Sequence, residues 1–214
     1  KGHVWFGSGD NGISVYDGRK INLTNRINKI HKDILDCSTL DKAGQVLFNS
    51  ASGKKGLLSI KSDEEYELLN EGNYAYFIGR NRNNQIILGM SNYGGVWISK
   101  NDPIIDKPSN WIKFGKEKGL KLQNVLTASE DRFGNYWMGR STQGISVYIT
   151  KTDSIHNYLM IANPLNPGAM SSTSDERGNI WFGTDVGLYF LDVSKWKVDS
   201  GTLLHCLQLI SPEI

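Results

Sequence analysis

Apolar residues along this chain come in short runs bounded by Gly, Asp or Asn, a pattern of strands closed by turns and not of amphipathic helices. Five of the runs align with one another: Gly2-His3-Val4-Trp5-Phe6-Gly7, Gly44-Gln45-Val46-Leu47-Phe48-Asn49, Asn84-Gln85-Ile86-Ile87-Leu88-Gly89, Gly134-Asn135-Tyr136-Trp137-Met138-Gly139 and Gly178-Asn179-Ile180-Trp181-Phe182-Gly183. Their last residues fall at 7, 49, 89, 139 and 183, so the unit recurs at spacings of 42, 40, 50 and 44. A period of about 40–45 residues is that of a four-stranded propeller blade, and is too long for a leucine-rich repeat.

Each run is predicted to be the second strand of its unit. In three units an Asp stands three residues before the first Gly, at Asp41, Asp131 and Asp175, and in the third unit Asn81 and Asn84 take the two places. Asp at the head of a type I turn accepts a backbone N–H and Gly suits its last position, so each pair predicts a hairpin. A short polar loop, a Gly and a further apolar strand follow: Gly12-Ile13-Ser14-Val15-Tyr16, Gly56 to Ile60, Gly95 to Ile98, Gly144 to Tyr148 and Gly187 to Phe190. Val125 to Ser129 reads as an inner strand and Trp111 to Phe114 as an outer one. The column of Trp5, Leu47, Ile87, Trp137 and Trp181 is expected to pack blade against blade.

The prediction is therefore an all-β chain, one β-propeller region of about five four-stranded blades over residues 1–214, with approximate repeats 1–26, 27–72, 73–120, 121–165 and 166–201. Residues 202–214 are read as the start of a further blade or as a closing strand. In a closed five-bladed ring, Leu203-Leu204-His205-Cys206-Leu207 would complete the first blade. In a slice of a larger propeller, open strand edges at both ends would favour a homodimer. The slice is the preferred reading.

Composition narrows the function. The 24 Lys and Arg nearly balance the 22 Asp and Glu without a dense basic run, so no nucleic-acid partner is expected. The two cysteines, Cys37 and Cys206, lack the spacing of a zinc or thioredoxin-like motif, and whether they pair is open. No apolar run approaches the roughly 20 residues that would span a bilayer. The four histidines are scattered, and neither a nucleophile elbow nor a phosphate-binding loop is present, so no catalytic set, metal or cofactor is expected.

The run Asp175-Glu176-Arg177-Gly178-Asn179-Ile180-Trp181-Phe182-Gly183-Thr184-Asp185-Val186-Gly187-Leu188 closely resembles the signature of two-component regulator propeller repeats. These are known from the periplasmic sensor region of Bacteroides hybrid two-component histidine kinases. Gly119-Leu120 before Val125, Asp131 and Gly134 matches the family's lead-in, and the second repeat departs from the pattern with Leu47 for Trp and Asn49 for Gly. The resemblance covers residues 1 to about 196. It implies part of a seven-bladed, periplasmic sensor domain in a membrane-anchored protein, an oligosaccharide ligand drawn from a polysaccharide, and a signal passed to a kinase outside this chain. It implies no enzymatic activity for this region.

In a propeller the loops between second and third strands share one end with the links between blades, and ligands commonly sit there. Arg140 and Tyr93 lead the ligand-binding candidates, with Asn92, Asp10, Gln143 and Asp185 behind them. A sugar site needs planar amide or guanidinium groups for hydroxyl pairs and a ring for stacking, and the five-donor fork of Arg140 would also suit an acidic sugar. Arg140 also reads as a surface or inter-blade ion pair, and Tyr93, Asn92 and Asp10 as ordinary turn residues. Two alternatives remain beside the sensor: a propeller enzyme, streptogramin-lyase-like or glycoside-cleaving, and a protein-interaction scaffold.

Overall fold

A computed structural model describes residues 3–8, 12–23, 34–40, 44–50, 56–62, 65–69, 72–101, 108–140, 144–158, 168–198, 203 and 206–210. The described residues form nineteen strands in five sheets. The first sheet holds β1 (Val4–Ser8), β2 (Gly12–Tyr16) and β3 (Ile21–Leu23). The second holds β4 (Ile34–Leu40), β5 (Val46–Ser50), β6 (Gly56–Ile60) and β7 (Tyr66–Leu69). The third holds β8 (Ala75–Arg80), β9 (Ile86–Met90), β10 (Val96–Ser99) and β11 (Trp111–Phe114). The fourth holds β12 (Thr127–Glu130), β13 (Tyr136–Gly139), β14 (Ile145–Ile149) and β15 (Ser154–Tyr158), and the fifth β16 (Ala169–Ser174), β17 (Ile180–Thr184), β18 (Gly187–Leu191) and β19 (Leu207–Ile210).

Every sheet is a meander in which each strand pairs with the next in sequence. The fold is all-β, built of propeller blades. The first sheet has three strands among the described residues, its aligned run Val4–Ser8 being the strand at one edge. One feature differs from the sequence-based expectation. Residues 207–210, expected to open a further blade or to complete the first, are instead the outer strand of the fifth sheet: Leu207 pairs with Leu191 and Ile210 with Leu188. Leu203 and Cys206 are buried in the core of that same sheet, which is why the segment after β18 returns to it.

The chain divides into two compact units. One comprises residues 1–80, 84–88 and 98–112, the other residues 81–83, 89–97 and 113–214, so the boundary runs through the third sheet. In the first unit a core forms where Ile13 and Trp5 of the first sheet meet Val46, Phe48, Leu58 and Ile60 of the second. In the second unit Trp137, Ile145 and Val147 of the fourth sheet meet Ile180, Phe182 and Leu191 of the fifth. Trp137 is fully buried and sits edge-on to Trp196, with ring centroids 5.0 Å apart. Side chains of a strand alternate between faces, so a strand covered on both sides must be apolar throughout. All of β6, β9 and β10 is buried, which explains why their sequences carry no clean alternation.

The Asp turn does more than close a hairpin. Asp131 Oδ1 accepts the backbone N–H groups of Phe133 at 2.8 Å and Asn135 at 3.0 Å. Its Oδ2 accepts the side-chain amide of Asn135 at 3.0 Å and the indole N–H of Trp137 at 2.9 Å. The fifth sheet repeats this with Asp175, Asn179 and Trp181. The third has Gln85 and Ile87 at the places of Asn135 and Trp137. Asn81 stands at the place of Asp131, accepting from Asn83 N–H and donating to the Tyr136 hydroxyl at 3.0 Å.

Burial raises the Asp175 carboxyl pKa, but the backbone and side-chain N–H groups of Asn179, the Trp181 indole and the Arg177 backbone outweigh it and hold the group below its ordinary 3.8. A depressed carboxylate stabilises the fold above its unfolded-state pKa, and the gain disappears as pH falls through the folded value. Acid melting of the wild type and of Asp175→Asn is therefore expected to differ at neutral pH and to converge below about pH 4. Parallel curves across that range would show that the charge contributes nothing.

Candidate functional site

The second unit contains all the described ligand candidates. The loop Ser91–Gly95 joins β9 to β10, and Asn92 and Tyr93 within it both have left-handed backbone, with φ of 52° and 62°. For a bulky side chain this conformation is uncommon and costs about 1–3 kcal/mol, so the surroundings must hold it. They do so through the link from β11 to β12. Tyr93 N–H donates to the Gln123 carbonyl at 2.6 Å, Lys116 N–H donates to the Tyr93 carbonyl at 3.1 Å, and Val125 N–H donates to the Met90 carbonyl at 3.0 Å. Asn92 N–H donates to Asn124 Oδ1 at 3.2 Å.

These bonds place the β9–β10 loop and the following link together at one end of the sheet, the arrangement expected of a propeller's loop end. The link is anchored by its own apolar residues, since Leu120, Leu122 and Val125 are buried while Lys121 and Gln123 between them are exposed. Below the loop, Trp97 donates its indole N–H to the Gly94 carbonyl at 3.0 Å and takes the Lys113 ammonium over its ring at 3.5 Å. Tyr93 is 38% exposed, and the Lys116 ammonium lies over its ring 5.4 Å from the centroid. That distance is within reach of a cation–π attraction.

Arg140 closes β13 at the equivalent point of the fourth sheet and is half-buried. Asp185 stands exposed in the β17–β18 turn, which Thr184 braces by donating its hydroxyl to the Gly187 carbonyl at 2.7 Å and accepting Val186 N–H at 3.2 Å. The structure thus joins Asn92 and Tyr93 in one loop and sets Arg140 and Asp185 each on a loop of its own. Asp10 and Gln143 lie outside the described residues. Gln123, Asn124 and Lys116 were missed by sequence reasoning. For Gln123 the signal is the alternation Leu120-Lys121-Leu122-Gln123 in a segment outside any strand, which leaves Lys121 and Gln123 exposed.

The opposite end of the same sheets carries the Asp turns. Their carboxylates accept several N–H donors each, which leaves them committed to the fold and poorly suited to acid–base work. Among the described residues no group of three or more His, Cys, Asp or Glu is arranged to hold a metal ion. Cys206 is a free, buried thiol donating to the Leu203 carbonyl at 3.3 Å, and burial pushes its pKa up to about 11. The side chain of Cys37 lies outside the described set.

No protein-family model matches the chain, and no curated protein matches it. Solved structures do. The extracellular domain of the hybrid two-component system BT3049 from B. thetaiotaomicron matches with a TM-score of 0.64 at 20% identity, over 98% of this chain and 31% of that one. The corresponding domain of BT4673 from the same organism matches with a TM-score of 0.63 at 22% identity, over 97% of this chain and 26% of that one. Virginiamycin B lyase from Staphylococcus aureus, in a catalytically inactive H270A form with quinupristin, matches with a TM-score of 0.64 at 14% identity, over 100% of this chain and 67% of that one. The chain spans about a quarter to a third of the two-component domains it matches. These likenesses establish the fold. No helix among the described residues is long and apolar enough to cross a membrane.

Proposed function

We propose that this chain is part of the ligand-sensing region of a periplasmic, membrane-anchored hybrid two-component protein, and that its loop end binds an oligosaccharide released from a polysaccharide. The observation that carries the reading is Tyr93. An exposed aromatic residue is held in a costly left-handed conformation, its N–H bonded to the Gln123 carbonyl, its carbonyl accepting from Lys116 N–H, and its neighbour Asn92 bonded through its N–H to Asn124. Strain of this kind concentrates at binding sites, and an exposed ring matches the apolar face of a sugar. Arg140 adds a planar donor fork one sheet further on. Likeness in fold to extracellular domains of two-component systems supports the sensing role, with the signal passed to a kinase outside this chain.

Thermal melting against defined neutral and uronate-containing oligosaccharides, with a chelator control and analysis of the sugar afterwards, tests the proposal. A ligand at about one hundred times its Kd stabilises the native state by about 2.7 kcal/mol. Tyr93→Gly is expected to melt no lower than wild type, since Gly adopts φ near 60° without strain, yet to lose the sugar response. Arg140→Ala should weaken that response, while Phe133→Ala, at an exposed ring in the opposite Asp turn, should leave it intact. An unchanged response in Tyr93→Gly would remove the site.

A second reading is a lyase-type enzyme, favoured by the match to virginiamycin B lyase, as high in TM-score as that to the BT3049 domain. Consumption of a substrate, above all consumption that stops on chelation, would put that reading first.

A further inference from the structure

Lys61, Lys118 and Lys195 each pair with a carboxylate, those of Glu65, Asp153 and Asp192. Two exposed lysines beside the Tyr93 loop, Lys113 and Lys116, have no carboxylate partner among the described residues. Their ammonium groups lie over aromatic rings instead, 3.5 Å from the centroid of Trp97 and 5.4 Å from that of Tyr93. Acids close by are already engaged. Glu117 accepts Gly115 N–H at 2.7 Å, and Asp153 holds both Lys118 and the Tyr148 hydroxyl. Residues 113–121 carry four lysines against that one glutamate, so the segment packed on the Tyr93 loop has an excess of positive charge.

The backbone fixes this charge at the loop. Lys116 N–H donates to the Tyr93 carbonyl at 3.1 Å, and Lys121 stands exposed two residues before Gln123, whose carbonyl accepts Tyr93 N–H at 2.6 Å. Consecutive residues of the same link reach both candidate loops: Val125 N–H donates to the carbonyl of Met90, ahead of the Tyr93 loop, and Leu126 N–H to that of Gly139, next to Arg140. A ligand seated against Tyr93 takes water from the ammonium over its ring, and a charge that loses solvent without gaining a partner is penalised. A neutral sugar offers only hydroxyls in exchange. A carboxylate or sulfate offers an ion pair with charge-assisted hydrogen bonds, which are roughly twice as strong as neutral ones.

Building on the reading of the loop end as a sugar site, we propose that its ligand is acidic, an oligosaccharide bearing carboxylate or sulfate groups, and that Lys116, supported by Lys113, selects for that charge. The Tyr93 ring receives the sugar's apolar face, and the unpaired ammonium beside it receives the anion.

A melting screen of the whole chain against matched pairs, uronate oligosaccharides with their methyl esters and sulfated ones with their desulfated forms, followed by titration calorimetry of each hit at low and high salt, tests this. Responses are expected from charged members only, and salt should weaken them. Hits among the uronates or among the sulfated sugars identify which anion is read. Lys116→Met, at an exposed position, is expected to bind a charged hit about tenfold or more weakly, the loss of one hydrogen bond to a charged group. Lys61→Met, which removes the same charge from an exposed site in the first unit, should bind as wild type does. A neutral member that binds as tightly as its charged partner and depends on Tyr93, or a Lys116→Met variant that keeps wild-type affinity, would overturn the acidic assignment and leave the sugar site standing. A screen with no response, or responses that survive Tyr93→Gly, would remove the site itself and this proposal with it.

Discussion

Asp131→Asn is expected to lower stability by about 3 kcal/mol or more. The carboxylate is fully buried and accepts on both oxygens, two backbone N–H groups on Oδ1 and the Asn135 amide and Trp137 indole on Oδ2. An asparagine presents an NH2 group to one of those pairs whichever way it is turned, so donor faces donor. A hydrogen bond to a charged group contributes about 1.5–3 kcal/mol, and a buried donor left without a partner costs about 1–3 kcal/mol. The damage reaches the core directly, because Trp137 is fixed through its indole N–H and packs against the fifth sheet. Urea unfolding followed by tryptophan fluorescence measures it. Asp175→Asn should cost less, since Asp175 is only partly buried and its indole bond is 3.4 Å long. Equal and small losses at both positions would show that the turn, and not the buried carboxylate, carries the stability.

The second large effect is expected at Gly95, which terminates the Tyr93 loop. Its φ is +70°, and a Cβ placed there would lie 1.9 Å from the Phe114 carbonyl oxygen and 2.5 Å from the Gly115 Cα. Both obstacles are backbone, so β10 and β11 must part before an alanine fits. Gly134 is the natural comparison: its φ is +78°, but the nearest atom to an added Cβ is Glu130 Oε1 at 3.7 Å. Gly134→Ala should therefore cost only the conformational penalty of about 1 kcal/mol, and Gly95→Ala about 3 kcal/mol in total. Melting of the two variants side by side checks the difference. Gly95→Ala should in addition lose the oligosaccharide response, because the loop that holds Tyr93 rests on that close approach.

Most of the fold was legible in the residues. The third strands of all five units begin at or one residue after the glycine the sequence marks, and β11 spans Trp111–Phe114 as read. That legibility comes from turn chemistry, since Asp, Asn and Gly have few conformational substitutes at these positions. What the sequence hid was long-range. The link after Gly201 gave no sign that Leu207–Ile210 returns to the fifth sheet, because four residues without turn markers fit either neighbour. Nor does a Trp six residues after an Asp read as a hydrogen-bonded pair until the hairpin folds one over the other. Of the candidate site, Asn92 and Tyr93 were legible as loop residues. Their left-handed backbone was not, because it is imposed by Gln123, Asn124 and Lys116, which lie more than twenty residues on.

Amide hydrogen exchange with and without an oligosaccharide that shifts the melting curve tests the central claim most directly, provided the sugar is recovered and weighed by mass spectrometry afterwards. The account predicts slowed exchange in residues 90–95 and 116–125, unchanged exchange in the Asp131–Gly134 and Asp175–Gly178 turns at the opposite end, and a sugar of unaltered mass. Protection confined to the Asp turns, or a sugar returned cleaved, would contradict it.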